Sequence, residues 1–138
     1  MSLRKKVYFR PEDWSKAHHL LNRVAINTAP LIMFPPPVHP ADLDADALVD
    51  LQKLQLDAIQ KSQDERVHLG ALATLQNLYQ SDLLQSEAVG ILVEAAHVSA
   101  TLGVRNVATV AGALASPEGP PEVALALMAL DAVVVAQQ

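Results

Sequence analysis

Residues 34–40 read FPPPVHP, and no other stretch limits the fold so strongly. Three consecutive prolines lack amide donors and have a fixed φ, so Pro35–Pro37 belong neither in a helix interior nor in a central strand. They hold an extended, stiff connection. The hydrophobic pattern must therefore be read separately on each side of it.

Ahead of the prolines, KKVYF (5–9) has the composition of a short strand. Pro11 suits a first helical position, with Glu12 and Asp13 at the positive end of the helix dipole. Trp14, Ala17, Leu21 and Val24 recur at helical spacing, which predicts a helix near 12–25. APLIMF (29–34) is a second strand, and strand, helix, strand suggests a parallel unit with a right-handed crossover. Beyond the loop at 35–46, ALVDL (47–51) returns as a third strand. The boundary between subdomains is placed near residue 55, giving an N-terminal βαβ subdomain over 1–55 and a second α+β subdomain over 56–138.

In the second part, LDAIQ and RVHLGA flank the polar KSQDE, and Val67 and Leu69 alternate around His68, which predicts a hairpin. Thr74 is a cap for a short helix through Tyr79. Ser86 is a cap for a longer helix near 87–101, whose buried stripe is Val89, Leu92, Val93 and Ala96, with Gly103 at its exit. NVATVAG (106–112) reads as a strand. Pro121 opens a helix near 121–130, and AVVV (132–135) reads as a closing strand. Strands and helices mix without strict alternation, so the fold class is α+β.

Composition excludes several functions. The chain has 138 residues, 51% of them hydrophobic and 18% charged, so it is one globular domain with a real core. Its net charge of −5 argues against nucleic acid, because phosphate contacts need Lys and Arg. The basic run RKK (4–6) reads as a solvated segment. The absence of cysteine rules out disulfides, thiolate metal sites and Cys nucleophiles, and it fits a cytoplasmic protein. No signal peptide pattern follows the basic start. VALALMALDAVVVA is too short to span a membrane and contains Asp131.

Reactive constellations are missing as well. His18 and His19 are adjacent, so on a helix they point about 100° apart, unlike a metal-binding pair spaced by four. His39, His68 and His97 fall on separate elements. Neither a G-x-S-x-G elbow nor Ser-x-x-Lys occurs. Asp42, Asp44 and Asp46 lie in a loop where solvation explains them. There is no P-loop or G-x-G-x-x-G, and the chain has only five glycines. No catalytic residue and no metal ligand is assigned.

Pattern is more informative than chemistry. VHLGALATLQNLYQSDLL, LVEAAHVSATLGVRNVATVAGALASP and PPEVALALMALDAVVV occur in an order and spacing that resemble the FAD-binding domain of molybdopterin dehydrogenases. These are the flavin subunits of carbon monoxide dehydrogenase and xanthine dehydrogenase-like enzymes. YFRPEDWSKAHHLL is similar to the family's opening strand and helix. The combination of VRNVAT and ALDA is the most specific part.

The resemblance implies a parallel subdomain followed by an antiparallel sheet with helices, with FAD between them. It also implies electron transfer between an iron–sulfur partner and an external acceptor, with substrate oxidised at molybdenum on another subunit. Two glycine turns of the family approach the pyrophosphate. The first reads roughly Ala-Gly-Gly-Thr, where this chain has IMFPPPV. The second reads Thr-Ile-Gly-Gly-Asn; here Thr109 and Gly112 remain, while Ala111 and Ala113 replace a glycine and the asparagine. A family aspartate aligns with Glu122, and GALAT keeps Gly70 and Thr74 of a third contact segment. The implied cofactor site is thus Gly70, Thr74, Arg105, Asn106, Thr109, Gly112 and Glu122.

The resemblance implies a family C-terminal domain beyond the VVV strand, which is expected to be absent here. Weak or lost FAD binding is the resulting expectation. The alternatives are a non-enzymatic assembly or regulatory part that keeps the scaffold, or a cleft holding some smaller ligand. A homodimer is expected from the uncovered apolar edge, with iron–sulfur and molybdopterin subunits as the other implied partners. For Arg105, the competing structural role is pairing with a nearby carboxylate.

Overall fold

The computed structural model describes residues 7–22, 28–30, 45–86 and 88–136. Three short strands, β1 (Val7–Phe9), β2 (Thr28–Pro30) and β3 (Ala47–Val49), form an all-parallel sheet in the order β1-β3-β2. Ala47 pairs with both Val7 and Thr28, so the third strand in sequence is the central one. Its residues Ala47, Leu48 and Val49 are all buried, as an apolar run in the middle of a parallel sheet should be. The second predicted strand runs only from Thr28 within the described residues, and its continuation over 31–34 lies outside them, as does the proline loop.

Helix α1 (Trp14–Leu21) connects β1 to β2. Asp13 caps it by accepting from the Lys16 amide at 2.8 Å, which lowers the Asp13 pKa. Ala17 is its buried residue and joins Val49, Leu51 and Leu72 in one hydrophobic cluster.

The hairpin forms as the sequence suggests. β4 (Ile59–Lys61) and β5 (Val67–Leu69) pair antiparallel, with Gln60 opposite His68. The connection closes through Ser62 N–H to Arg66 O at 2.8 Å, with Glu65 at φ 66°. Helices α2 (Leu75–Gln80), α3 (Gly90–Val98), α4 (Leu102–Arg105), α5 (Val110–Ala115) and α6 (Pro121–Ala129) follow. They bury a second cluster around Leu75, Leu78, Leu84, Leu92 and Val123, against which Ile59, Val67 and Leu69 of the hairpin pack.

Several expectations are corrected here. NVATVAG is not a strand. Only Thr109 makes a β-bridge, and Val110 starts helix α5. The β-branched residues suggested a strand, but the Thr109 hydroxyl caps a helix, and the alanine-rich VAGALA continues it. Gly103 lies within α4 rather than at the exit of α3. Ser86 contributes its carbonyl to the start of α3, accepting from Val89 and Gly90, while Val89 occupies the cap position. The segment AVVV is also not a strand. After α6, Asp131 turns left-handed at φ 53°, with Asp131 N–H bonded to Met128 O and Ala132 N–H to Leu127 O. Val133, Val134 and Val135 then continue without regular structure, 80%, 78% and 88% exposed. A strand needs a partner's ladder, and among the described residues these have none.

Candidate functional site

Two threonines bring the starts of α2 and α5 together. Thr74 caps α2 in a reciprocal capping box with Asn77, and Thr109 caps α5 by accepting from Gly112 N–H at 3.0 Å. The two caps face each other as an antiparallel bridge. Leu75 N–H donates to Ala108 O and Val110 N–H to Ala73 O, each at 2.9 Å, so each segment closes the other.

The first four amides of α5 all have partners within the chain. Val110 donates to Ala73 O, Ala111 to Ala71 O at 2.9 Å, and Ala113 to Thr109 O at 2.8 Å, while Gly112 uses the threonine hydroxyl. At an ordinary helix start most of these donors would be orphans free to meet an anion. Here every one is committed.

Gly70 sits beside this joint, and its carbonyl accepts from Ala73 N–H at 3.0 Å. A side chain there would place Cβ 2.2 Å from Leu56 O, so the backbone approach itself requires glycine. Arg105 is buried beneath the surface at 9% exposure. Its Nε donates to Gln76 Oε1 at 3.0 Å, and its Nη1 donates to the carbonyls of His97 at 2.9 Å and Ala100 at 2.8 Å. The guanidinium lies 5.4 Å from the ring centroid of Tyr79, which stacks on His97. Arg105 therefore ties α2 to the end of α3, where a cation also meets the negative end of the helix dipole. Carbonyls and an amide fill the place of the carboxylate considered above.

Asn106 is exposed at the end of α4, its amide bonded to Leu102 O. Glu122 is exposed in the first turn of α6. Hydrogen bonds therefore gather Gly70, Thr74, Thr109 and Gly112 into one joint, with Arg105 joined to α2 through Gln76. Among the described residues, none links Asn106 or Glu122 to that joint.

One polar cluster was not singled out from the sequence. Asp50, directly after β3, is 4% exposed. It accepts from Tyr8 Oη and from Gln52 N–H, and it pairs with Arg10 Nε at 3.2 Å. The signal was present in ALVD: a carboxylate at the C-terminal end of a buried parallel strand, the edge where such sheets place ligands.

Among the described residues no group of three or more His, Asp or Glu is placed to hold a metal ion, and no helix is long and apolar enough to cross a membrane.

A parallel three-stranded sheet leading into an antiparallel hairpin and a helical layer places the chain in an α+β class shared with chains of molybdenum-containing oxidoreductases. It is similar to carbon monoxide dehydrogenase from Oligotropha carboxidovorans, at 26% identity and a TM-score of 0.69. Carbon monoxide dehydrogenase from Hydrogenophaga pseudoflava (24%, TM-score 0.71) and quinoline 2-oxidoreductase from Pseudomonas putida 86 (22%, TM-score 0.68) share the fold. In each case the match covers 83% of this chain and 41% of the other. No curated protein matches significantly. The chain belongs to the family of the FAD binding domain in molybdopterin dehydrogenase, whose model matches residues 3–138. FAD is the cofactor that this membership implies.

Proposed function

We propose that the chain is a module of the flavin-subunit type found in molybdenum hydroxylases, with weak or lost FAD binding. The observation that carries this reading is the commitment of all four amides from Val110 to Ala113 to acceptors of the chain itself. A bound pyrophosphate loses its hydration and needs several donors in exchange. As folded, this turn does not fit that group. Arg105, the nearest implied cation, already spends Nε and Nη1 on Gln76 and two carbonyls. Of the implied site, Thr74, Thr109 and Gly112 are the residues we retain beside the cofactor, with Gly70 shaping the backbone around them. Asn106, Glu122 and Arg105 are assigned outer or supporting roles.

The division into 1–55 and 56–138 is supported by two separate hydrophobic clusters, although Leu56 and Leu72 of the second segment pack with the first cluster. A role as an assembly or regulatory part, beside iron–sulfur and molybdopterin subunits in the cytoplasm, follows if the scaffold has outlived its grip on FAD. Self-association as a homodimer is favoured by the three exposed valines at 133–135.

The test is a visible spectrum of the purified protein and a fluorescence titration with FAD. The expected protein is colourless, with a dissociation constant no tighter than about 1 μM, or about −8 kcal/mol. A yellow preparation with near-stoichiometric FAD would overturn the reading. Sedimentation tests the dimer separately, and a monomer at every concentration removes it.

A further inference from the structure

A pocket of about 540 Å³ opens beside the C-terminal end of β1, lined by Phe9, Arg10, Pro11, Ser15, Lys16, His19 and Leu20. None of these residues belongs to the Thr74–Thr109 joint. We infer that this pocket binds a small organic anion with an apolar ring, its charge held by Arg10 and its body lying against Phe9 and Leu20.

Asp50 lies behind the pocket's guanidinium. This buried carboxylate fixes Arg10 through Nε at 3.2 Å, and Gln52 Oε1 accepts from Arg10 Nη2 at 3.0 Å. A guanidinium has five N–H donors. Among the described residues, these two contacts set its plane and the Nη1 hydrogens meet no other acceptor. A guanidinium held this way loses little freedom on meeting a carboxylate or phosphate, for which its fork is the matching shape.

Charge around the pocket is arranged to the same end. The negative charge of Asp50 is met inside the fold by Tyr8, Arg10 and the Gln52 amide. Glu12 is drawn away to Lys53 at 2.8 Å, and Asp13 is used in capping α1 and in pairing with Lys16 at 3.0 Å. Ser15 stacks with His19 and Lys16 with Leu20, four positions apart on α1, and the two adjoining strips both line the pocket. They set a hydroxyl, an ammonium and an imidazole on one wall beside an apolar residue. Half-buried Phe9 and buried Pro11 supply the apolar surface opposite. The volume lies within the range of small-molecule sites, and a few polar groups among apolar walls is their usual make-up.

The experiment follows backbone amide resonances of the whole chain during titration with phenyl phosphate and benzoate, using benzamide and inorganic phosphate as controls. Saturable shifts confined to residues 9–20 are expected for both aryl anions, with little response to either control. R10Q is expected to weaken phenyl phosphate about tenfold. R10Q leaves Asp50 without its cation and so risks misfolding. K16Q changes an exposed side chain and its surface pair with Asp13, leaves the Asp13 cap bond to the backbone amide in place, and is expected to weaken binding about threefold. Equal binding of benzamide would overturn the anion assignment, and equal binding of inorganic phosphate would overturn the apolar one. Absence of shifts, shifts centred on 109–113, or unchanged affinity in a folded K16Q and R10Q would each overturn the site. None of these outcomes depends on whether FAD binds.

Discussion

Arg105 shows how much a single buried cation can organise without a counter-charge. Its three hydrogen bonds reach α2 and the end of α3, and they satisfy carbonyls that would otherwise be left at a helix terminus. Arg105→Met removes all three and leaves their acceptors enclosed. The expected loss is about 2–4 kcal/mol in urea unfolding, and a change below about 0.5 kcal/mol would contradict this tie between α2 and α3. Tyr8 offers a test in pH. Its hydrogen bond to the Asp50 carboxylate raises its pKa above the ordinary tyrosine value. The neutral phenol is the favoured form in the fold, so its contribution is complete below about pH 10 and is lost as pH rises through the folded value. Absorbance titration should show tyrosine ionising late, and Tyr8→Phe should remove that component. At this scale the sequence marked Arg105 as notable within VRNVAT but could not give its role. Gln76 lies 29 positions earlier, and no local pattern links the two.

Elements were legible where local chemistry and tertiary contacts agree. The hairpin around KSQDE, the Thr74-capped helix, the buried third strand and the Pro121 helix all lie close to their expected positions. The strands expected at 106–112 and 132–135 do not form, and both misreadings come from β-branched residues. A threonine followed by valine serves a strand or a helix cap equally well until the third residue on is known to donate back. Gly112 does so here. Thr109→Val keeps the shape and deletes the acceptor, leaving a buried amide unpaired. The expected cost is about 1–2 kcal/mol. If the stability of T109V matches that of the parent chain, the cap contributes nothing and α5 is held by packing alone. In the valine segment the propensity is real, but a strand requires a partner that the described residues do not provide.

For the whole molecule, the fold class followed from the mix of elements, and the family from the order and spacing of segments such as VRNVAT and ALDA, which survive loss of individual contact residues. The Thr74–Thr109 joint was only half legible. Thr74, Thr109 and Gly112 were singled out, but not that the amides around them are closed within the chain, because that closure depends on Ala71, Ala73 and Ala108 carbonyls presented by the fold. The substitutions in TVAGA therefore matter less than the way its backbone is used. Replacing Ala111 by glycine alone is expected to leave FAD affinity unchanged within about twofold, since the amide at 111 remains bonded to Ala71 O.

The most direct measurement is of those amides themselves. Backbone resonances and hydrogen exchange of Val110, Ala111, Gly112 and Ala113 should be followed in the intact chain with and without saturating pyrophosphate, and again with FAD. The expected result is slow exchange in the free protein, with no shift of these four amides on addition of pyrophosphate and no change in their protection with FAD. Rapid exchange in the free protein, or stoichiometric shifts of all four amides with pyrophosphate, would contradict a closed joint and restore this turn as an anion cradle.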